Sequence, residues 1–212
     1  MSTGYTLAHL DQIDEMSDGR SPWRPVRHHF GITSFGANTW TGKDAGDRII
    51  NEHDEKDENE ELYFVHRGRA RFELDGEQVD APEGTFVFAR PGVKRTAFAE
   101  EPGTTILALG GTPGEAYTPD GWELWAPAGP LYEAGRYAEA ADVARDIVEA
   151  NPEYPALLYN LACCESLAGR KDDAVRHLRS AIERSAQLRR LAVEDDDLAA
   201  IRDDPAIREL LG

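Results

Sequence analysis

The sequence predicts an α+β protein in two parts, an antiparallel β-barrel followed by a short all-α helical array. From about residue 27 to residue 109 the chain runs in short β-branched and aromatic stretches. They are broken by Gly, Pro and Asp-Gly, with no helical pattern between them. After about Pro119 apolar residues recur at helical spacing among good helix formers. In that second part Ala134-Gly135-Arg136 returns as Ala168-Gly169-Arg170, an offset of 34 residues.

Taken in order, residues 1–26 read as an N-terminal arm. Its "YTLAHLDQIDEM" suits a one-turn helix or an edge strand, and "SDGRSPWRP" reads as loop. Residues 27–119 form the barrel, with "ELYFVHRG" and "RARFELDGEQVDAPEGTFVFARPG" as its clearest strands. Asp75-Gly76, between strand-like residues 69–74 and 77–79, marks a two-residue hairpin turn, which needs positive φ. The Gly- and Pro-rich stretch 110–121 is the boundary.

Residues 120–212 divide into units at about 121–154 and 155–188 and a cap at 189–212. Ala140 maps onto Ala174, and Ala144, Ile147 and Val148 onto Leu178, Ala181 and Ile182. Small residues at Ala162 and Ala174 let two helices approach, and Gly169 permits the turn between them. Leu161-Ala162, Gly169, Ala174, Leu178 and Ala181 resemble the tetratricopeptide repeat family, which implies helix–turn–helix units that contact a protein partner. In the first unit Pro127 and Pro130 are expected to break the first helix, and Pro152 to end the second.

With 23 basic and 40 acidic side chains the net charge is -17, which repels nucleic acid and anionic lipid. No apolar run reaches the ~20 residues that span a bilayer. The N-terminus is neither basic nor followed by an apolar core, so no signal peptide is expected. Cys163 and Cys164 are adjacent on a helix and cannot bridge without strain, which points to reduced, packed thiols and the cytoplasm.

The candidate site comes from two runs. In the first, Gly46 is followed by His53, Glu55 and Glu61, with six residues between Glu61 and Gly68. In the second, Gly84 and Gly92 frame Arg90, Pro91, Arg95 and Ala99. These runs, within residues 27–112, resemble the two motifs of the cupin family. The resemblance implies a jelly-roll barrel and, in metal-binding members, three histidines and a carboxylate on one divalent cation. Here Arg90 stands at the family's Pro position, Arg95 at a His position and Ala99 at the Asn position. A guanidinium cannot ligate a metal, and its fixed charge opposes one.

Three readings of the pocket stay open. Glu61 and Arg95 form an inward ion pair where the metal would be. Alternatively, Arg95 clamps a small anionic molecule, with His53 and Glu55 completing a polar mouth. In the third, His53, Glu55 and Glu61 retain Fe, Mn, Ni or Zn, with Asp57 a rival to Glu55 in register. Alternation turns Tyr63 and Val65 inward, adding Tyr63 to a pocket of Glu61, Tyr63, Arg95 and His53. Leu62, Phe64 and His66 face outward.

The function expected is a non-catalytic cupin module, binding a small molecule or serving as scaffold, coupled to a protein-interaction segment, with no cofactor. Homo-oligomers are expected through strand edges. The alternative is a metal-dependent enzyme of dioxygenase or isomerase type using His53, Glu55 and Glu61, and whether the chain is an enzyme is left open.

Overall fold

Alternating inward and outward residues along short strands build the first half of the chain. The computed structural model describes residues 5–17, 21–54 and 58–211. The chain divides into two compact units, Met1–Pro119 and Asp120–Gly212.

In the first unit helix α1 (Val26–Phe30) follows strand β1 (Trp23–Arg24). The other strands are β2 (Gly36–Gly42), β3 (Arg48–His53), β4 (Glu60–Arg67), β5 (Arg69–Leu74), β6 (Glu77–Pro82), β7 (Phe86–Ala89), β8 (Arg95–Ala99) and β9 (Thr104–Gly111). They form two antiparallel sheets, ordered β1-β2-β9-β4-β7 and β3-β8-β5-β6. Tyr63, Val65 and Ile106 from the first sheet meet Ile49, Phe72 and Ala97 from the second in one core. This is the two-sheet antiparallel arrangement expected of a jelly roll. At the hairpin Leu74 lies opposite Glu77, and Asp75 and Gly76 take φ of 51° and 86°.

Two local expectations are corrected. The stretch read as loop contributes β1, whose Trp23 pairs with Trp40 and stacks on it at 5.4 Å between ring centroids. Burying that indole outweighs the local turn signals, and Ile13 and Met16 are buried as well. The region from residue 27 begins with α1 rather than a strand. Gly31, at φ 67°, ends that helix by returning its N–H to the Arg27 and His28 carbonyls. Upstream, residues 10–12 form a single helical turn.

The second unit comprises α2 (Gly121–Leu124), α3 (Gly129–Glu133), α4 (Tyr137–Ala150), α5 (Pro155–Leu167), α6 (Lys171–Arg184), α7 (Ala186–Glu194) and α8 (Pro205–Leu211). The first helix of the first repeat is broken into α2 and α3, with Pro130 in the first turn of α3. The repeat extends to hydrogen bonds. Gly135 donates to Tyr132 and Arg136 to Leu131, and in the same pattern Gly169 donates to Ser166 and Arg170 to Glu165. Ala140, Ala141 and Ala144 close against Leu161 and Cys164, while Ala162 packs with Ala174, Leu178 and Ala181. Leu198, Ile201 and Ile207 of the tail close the second of these cores, so the cap is apolar on its inner side. Among the described residues no helix is long and apolar enough to cross a membrane.

Candidate functional site

The site is assembled at one end of the barrel by strands from both sheets. His53 ends β3 and Arg95 begins β8, and the two are direct cross-strand partners. Glu61 lies on β4 of the other sheet. Tyr63 follows two residues later on the same inward face. The structure thus brings together His53, Glu61, Tyr63 and Arg95. Glu55 and its rival Asp57 lie outside the described residues.

The donors converge on one atom. Glu61 Oε2 accepts from Arg95 Nε at 3.0 Å, from Arg95 Nη2, from the Tyr63 hydroxyl, and pairs with His53 Nε2 at 3.2 Å. Arg95 Nε also reaches the Tyr63 oxygen at 3.3 Å, and Nη1 donates to the Val93 carbonyl at 2.9 Å. Opposite its partner in Glu61, His53 Nδ1 lies 2.7 Å from the Asn51 carbonyl. The Arg95 side chain is fully buried, and Glu61 is 19% exposed.

Charge follows geometry. Burial would raise the Glu61 carboxyl, but hydrogen bonds from His53, Tyr63 and Arg95 outweigh it and lower the group from 4.5 to about 2. The hydrogen bond to Glu61 raises His53, against its partial burial. Burial and the neighbouring carboxylate push the Tyr63 phenol well above its ordinary value. The cluster is therefore built around an ionised Glu61 and a charged Arg95, with Tyr63 as a neutral donor.

Of the anticipated metal donors, only His53 and Glu61 come together among the described residues. A cation between them would share Glu61 with the Arg95 guanidinium. The remaining motif positions lie apart from this cluster. Arg90 is exposed and sits over the Phe88 ring at 5.4 Å, and Ala99 is buried opposite Ala70.

The motif reading misses Asn38. It alternates with Trp40, which packs on the barrel core, so it faces inward. Its row runs across Ala108 of β9 to Tyr63 of β4. Asn38 is 7% exposed, and its Oδ1 has no hydrogen-bond partner among the described residues. A polar residue two before Trp40, within the stretch of short β-branched and aromatic runs, was the available signal.

Two clusters lie in the helical unit. Buried Glu165 accepts from Arg145 Nη2 at 3.0 Å and pairs with His177 Nδ1 at 2.6 Å, tying α5 to α4 and α6. The ligand atoms of Cys163, Asp195 and Asp197 lie within 4.8 Å of one another. Their carboxylates already accept from Tyr159 at 2.7 Å and Tyr132 at 2.5 Å, which holds the tail to the repeat helices. Both cysteines are buried and free. Burial pushes the Cys164 thiol up to about 12 and Cys163 higher still, so neither is poised as a nucleophile.

With this geometry in place, the chain can be compared with known proteins. Residues 131–192 match the family model described as a tetratricopeptide repeat. No curated protein matches the sequence. Solved structures similar to the first half include a cupin protein from Bacteroides fragilis, 19% identical, over 55% of this chain and 93% of that one, with a TM-score of 0.43. KdgF from a Halomonas species is 16% identical over 55% of this chain and 96% of its own, with a TM-score of 0.43. A sugar phosphate isomerase of the cupin superfamily from Silicibacter pomeroyi is 17% identical over 54% and 77%, with a TM-score of 0.45.

Proposed function

We propose that the barrel is a non-catalytic small-molecule-binding module whose polar centre is an internal ion pair, coupled to a helical segment that contacts a protein partner. The observation that carries this reading is the Arg95 guanidinium, buried against Glu61, the carboxylate at the metal-ligand position of the motif. A divalent cation does not fit this donor set. One carboxylate oxygen is taken by two side chains, the cationic Arg95 and the Tyr63 hydroxyl, and His53 Nε2 is directed to that same oxygen. The pairing satisfies both buried charges by hydrogen bonds across the two sheets. The same reading has copies associating through strand edges and places the protein in a reducing compartment, where Cys163 and Cys164 stay thiols.

A double-mutant cycle tests it. Arg95→Met alone leaves an ionised, partly buried Glu61 and is expected to destabilise by about 3 kcal/mol or more. Combined with Glu61→Leu the loss should shrink by about 2 kcal/mol or more, because neither charge is then stranded. Additive losses in urea unfolding would show that the two side chains do not depend on each other.

A further inference from the structure

The Arg95 and Tyr63 donors of this pocket are turned onto protein oxygens, while two of its acceptor oxygens have no described partner. Arg95 cannot clamp an anion from where it sits: Nε, Nη1 and Nη2 all donate to protein oxygens, and the side chain is fully buried. An anion placed beside it would also face the ionised Glu61.

Acceptor capacity points the other way. All the described donors to Glu61 fall on Oε2, and none reaches Oε1. Oε1 lies over Gly110, where an added Cβ would be 3.7 Å from it and 3.3 Å from Glu61 Cγ. The next residue in the same row, on β2, is also glycine, Gly36. Two side-chain-free positions therefore lie side by side on the inner face next to Glu61. Across Gly36 lies the Tyr117 ring, whose hydroxyl stands 2.6 Å from where a Cβ would be.

Asn38 lies two residues along β2 from Gly36, on the same inner face. It is two strand spacings, about 10 Å, from the strand of Glu61. Its buried Oδ1 has no partner among the described residues, a cost that a protein normally avoids unless something else satisfies the group.

We propose that Asn38 and Glu61 Oε1 line a subsite for a neutral, hydroxyl-bearing small molecule, a simple sugar or polyol, and that it disfavours anions. Hydroxyls both donate and accept, which suits a carboxylate oxygen and a buried side-chain amide on one inner face. This rests on the reading of the barrel as a binding module and adds its ligand class.

The test is thermal unfolding of the full chain with D-glucose, D-galactose or myo-inositol, and with inorganic phosphate or glucose 6-phosphate. Wild type is compared with Asn38→Leu. General stabilisation by polyols is shared by both proteins and cancels in the difference. Without probe, Asn38→Leu should melt about 4 °C higher, since it removes an unsatisfied buried acceptor. At least one neutral probe should raise the melting temperature of wild type more than that of the variant, and neither phosphate probe should. If leucine does not pack, Asn38→Ser keeps a hydroxyl of smaller reach and should lose most of the neutral-probe shift.

A neutral-probe shift that is as large in Asn38→Leu and Asn38→Ser as in wild type would take Asn38 out of the subsite and overturn the proposal. A larger shift with a phosphate probe than with any neutral one would overturn the ligand class and leave the binding module standing. No probe-specific shift in wild type from any of the five would overturn both.

Discussion

Glu61 behaves as a charge held in place by three different donors, and its acid titration should be visible in the stability of the whole barrel. Its carboxyl is lowered from 4.5 to about 2, so the folded state binds its proton less readily than the unfolded chain does. The stabilisation is then fully present above about 4.5 and lost as pH falls toward 2. By linkage it is on the order of 3 kcal/mol. Glu61→Gln should flatten the fall of the urea midpoint across that window, and an unchanged acid slope would remove Glu61 as its source. His53 acts with the opposite sign. Raised by Glu61, it stabilises below its unfolded value of 6.5 and loses that contribution as pH rises through its folded value. At this scale the sequence offered the pair as one of three open readings, since the resemblance carried by the Glu61–Gly68 interval and the frame of Gly84 and Gly92 puts Glu61 and Arg95 at motif positions of one pocket. It could not disclose that Arg95 spends every nitrogen on the protein, nor that Asn38 Oδ1 has no partner among the described residues. Those depend on side-chain directions from strands far apart in sequence.

Among the elements, those with a strong local signal were legible and those made by tertiary contact were not. The Asp75-Gly76 hairpin and the repeat turns at Gly135 and Gly169 all use positive φ at residues that tolerate it. By contrast β1 is two residues long and exists because Trp23 stacks on Trp40. No periodicity can show in a strand that short. Helix α1, at five residues, is equally below the length at which a 3.6-residue pattern emerges. Gly68 offers a test of how tightly two strands are joined. It has φ 75°, and an added Cβ would lie 2.7 Å from Thr104 Oγ1 and 3.0 Å from Thr104 Cα. That hydroxyl donates to the Glu101 carbonyl at 2.6 Å and has the Arg69 carbonyl within reach at 3.0 Å, so it cannot move cheaply. Gly76 has φ 86° but open space around its missing Cβ. Gly76→Ala should therefore cost the left-handed penalty alone, about 1–2 kcal/mol, and Gly68→Ala clearly more. Equal losses in urea unfolding would mean that the Thr104 contact gives way.

Across the molecule, the sequence separated the two architectures because their hydrophobic periods differ, near two residues in the first half and near 3.6 in the second. The helical half also announced its repeat, since the 34-residue offset persists from residue types to individual hydrogen bonds. Its closure was less legible. The acidic tail "VEDDDLAAIRDD" reads as a polar cap, yet its Leu198 and Ile201 complete the core while Asp195 and Asp197 take tyrosine hydrogen bonds. The net charge of -17 bears on both halves: it disfavours polyanionic partners such as nucleic acid. The account as a whole turns on whether the barrel's charged centre belongs to the protein or to a metal. Metal content of the full chain, purified without chelator and measured by mass spectrometry, tests this most directly. The account predicts iron, manganese, nickel and zinc all well below one per chain. A near-stoichiometric metal that disappears in Glu61→Ala would contradict it.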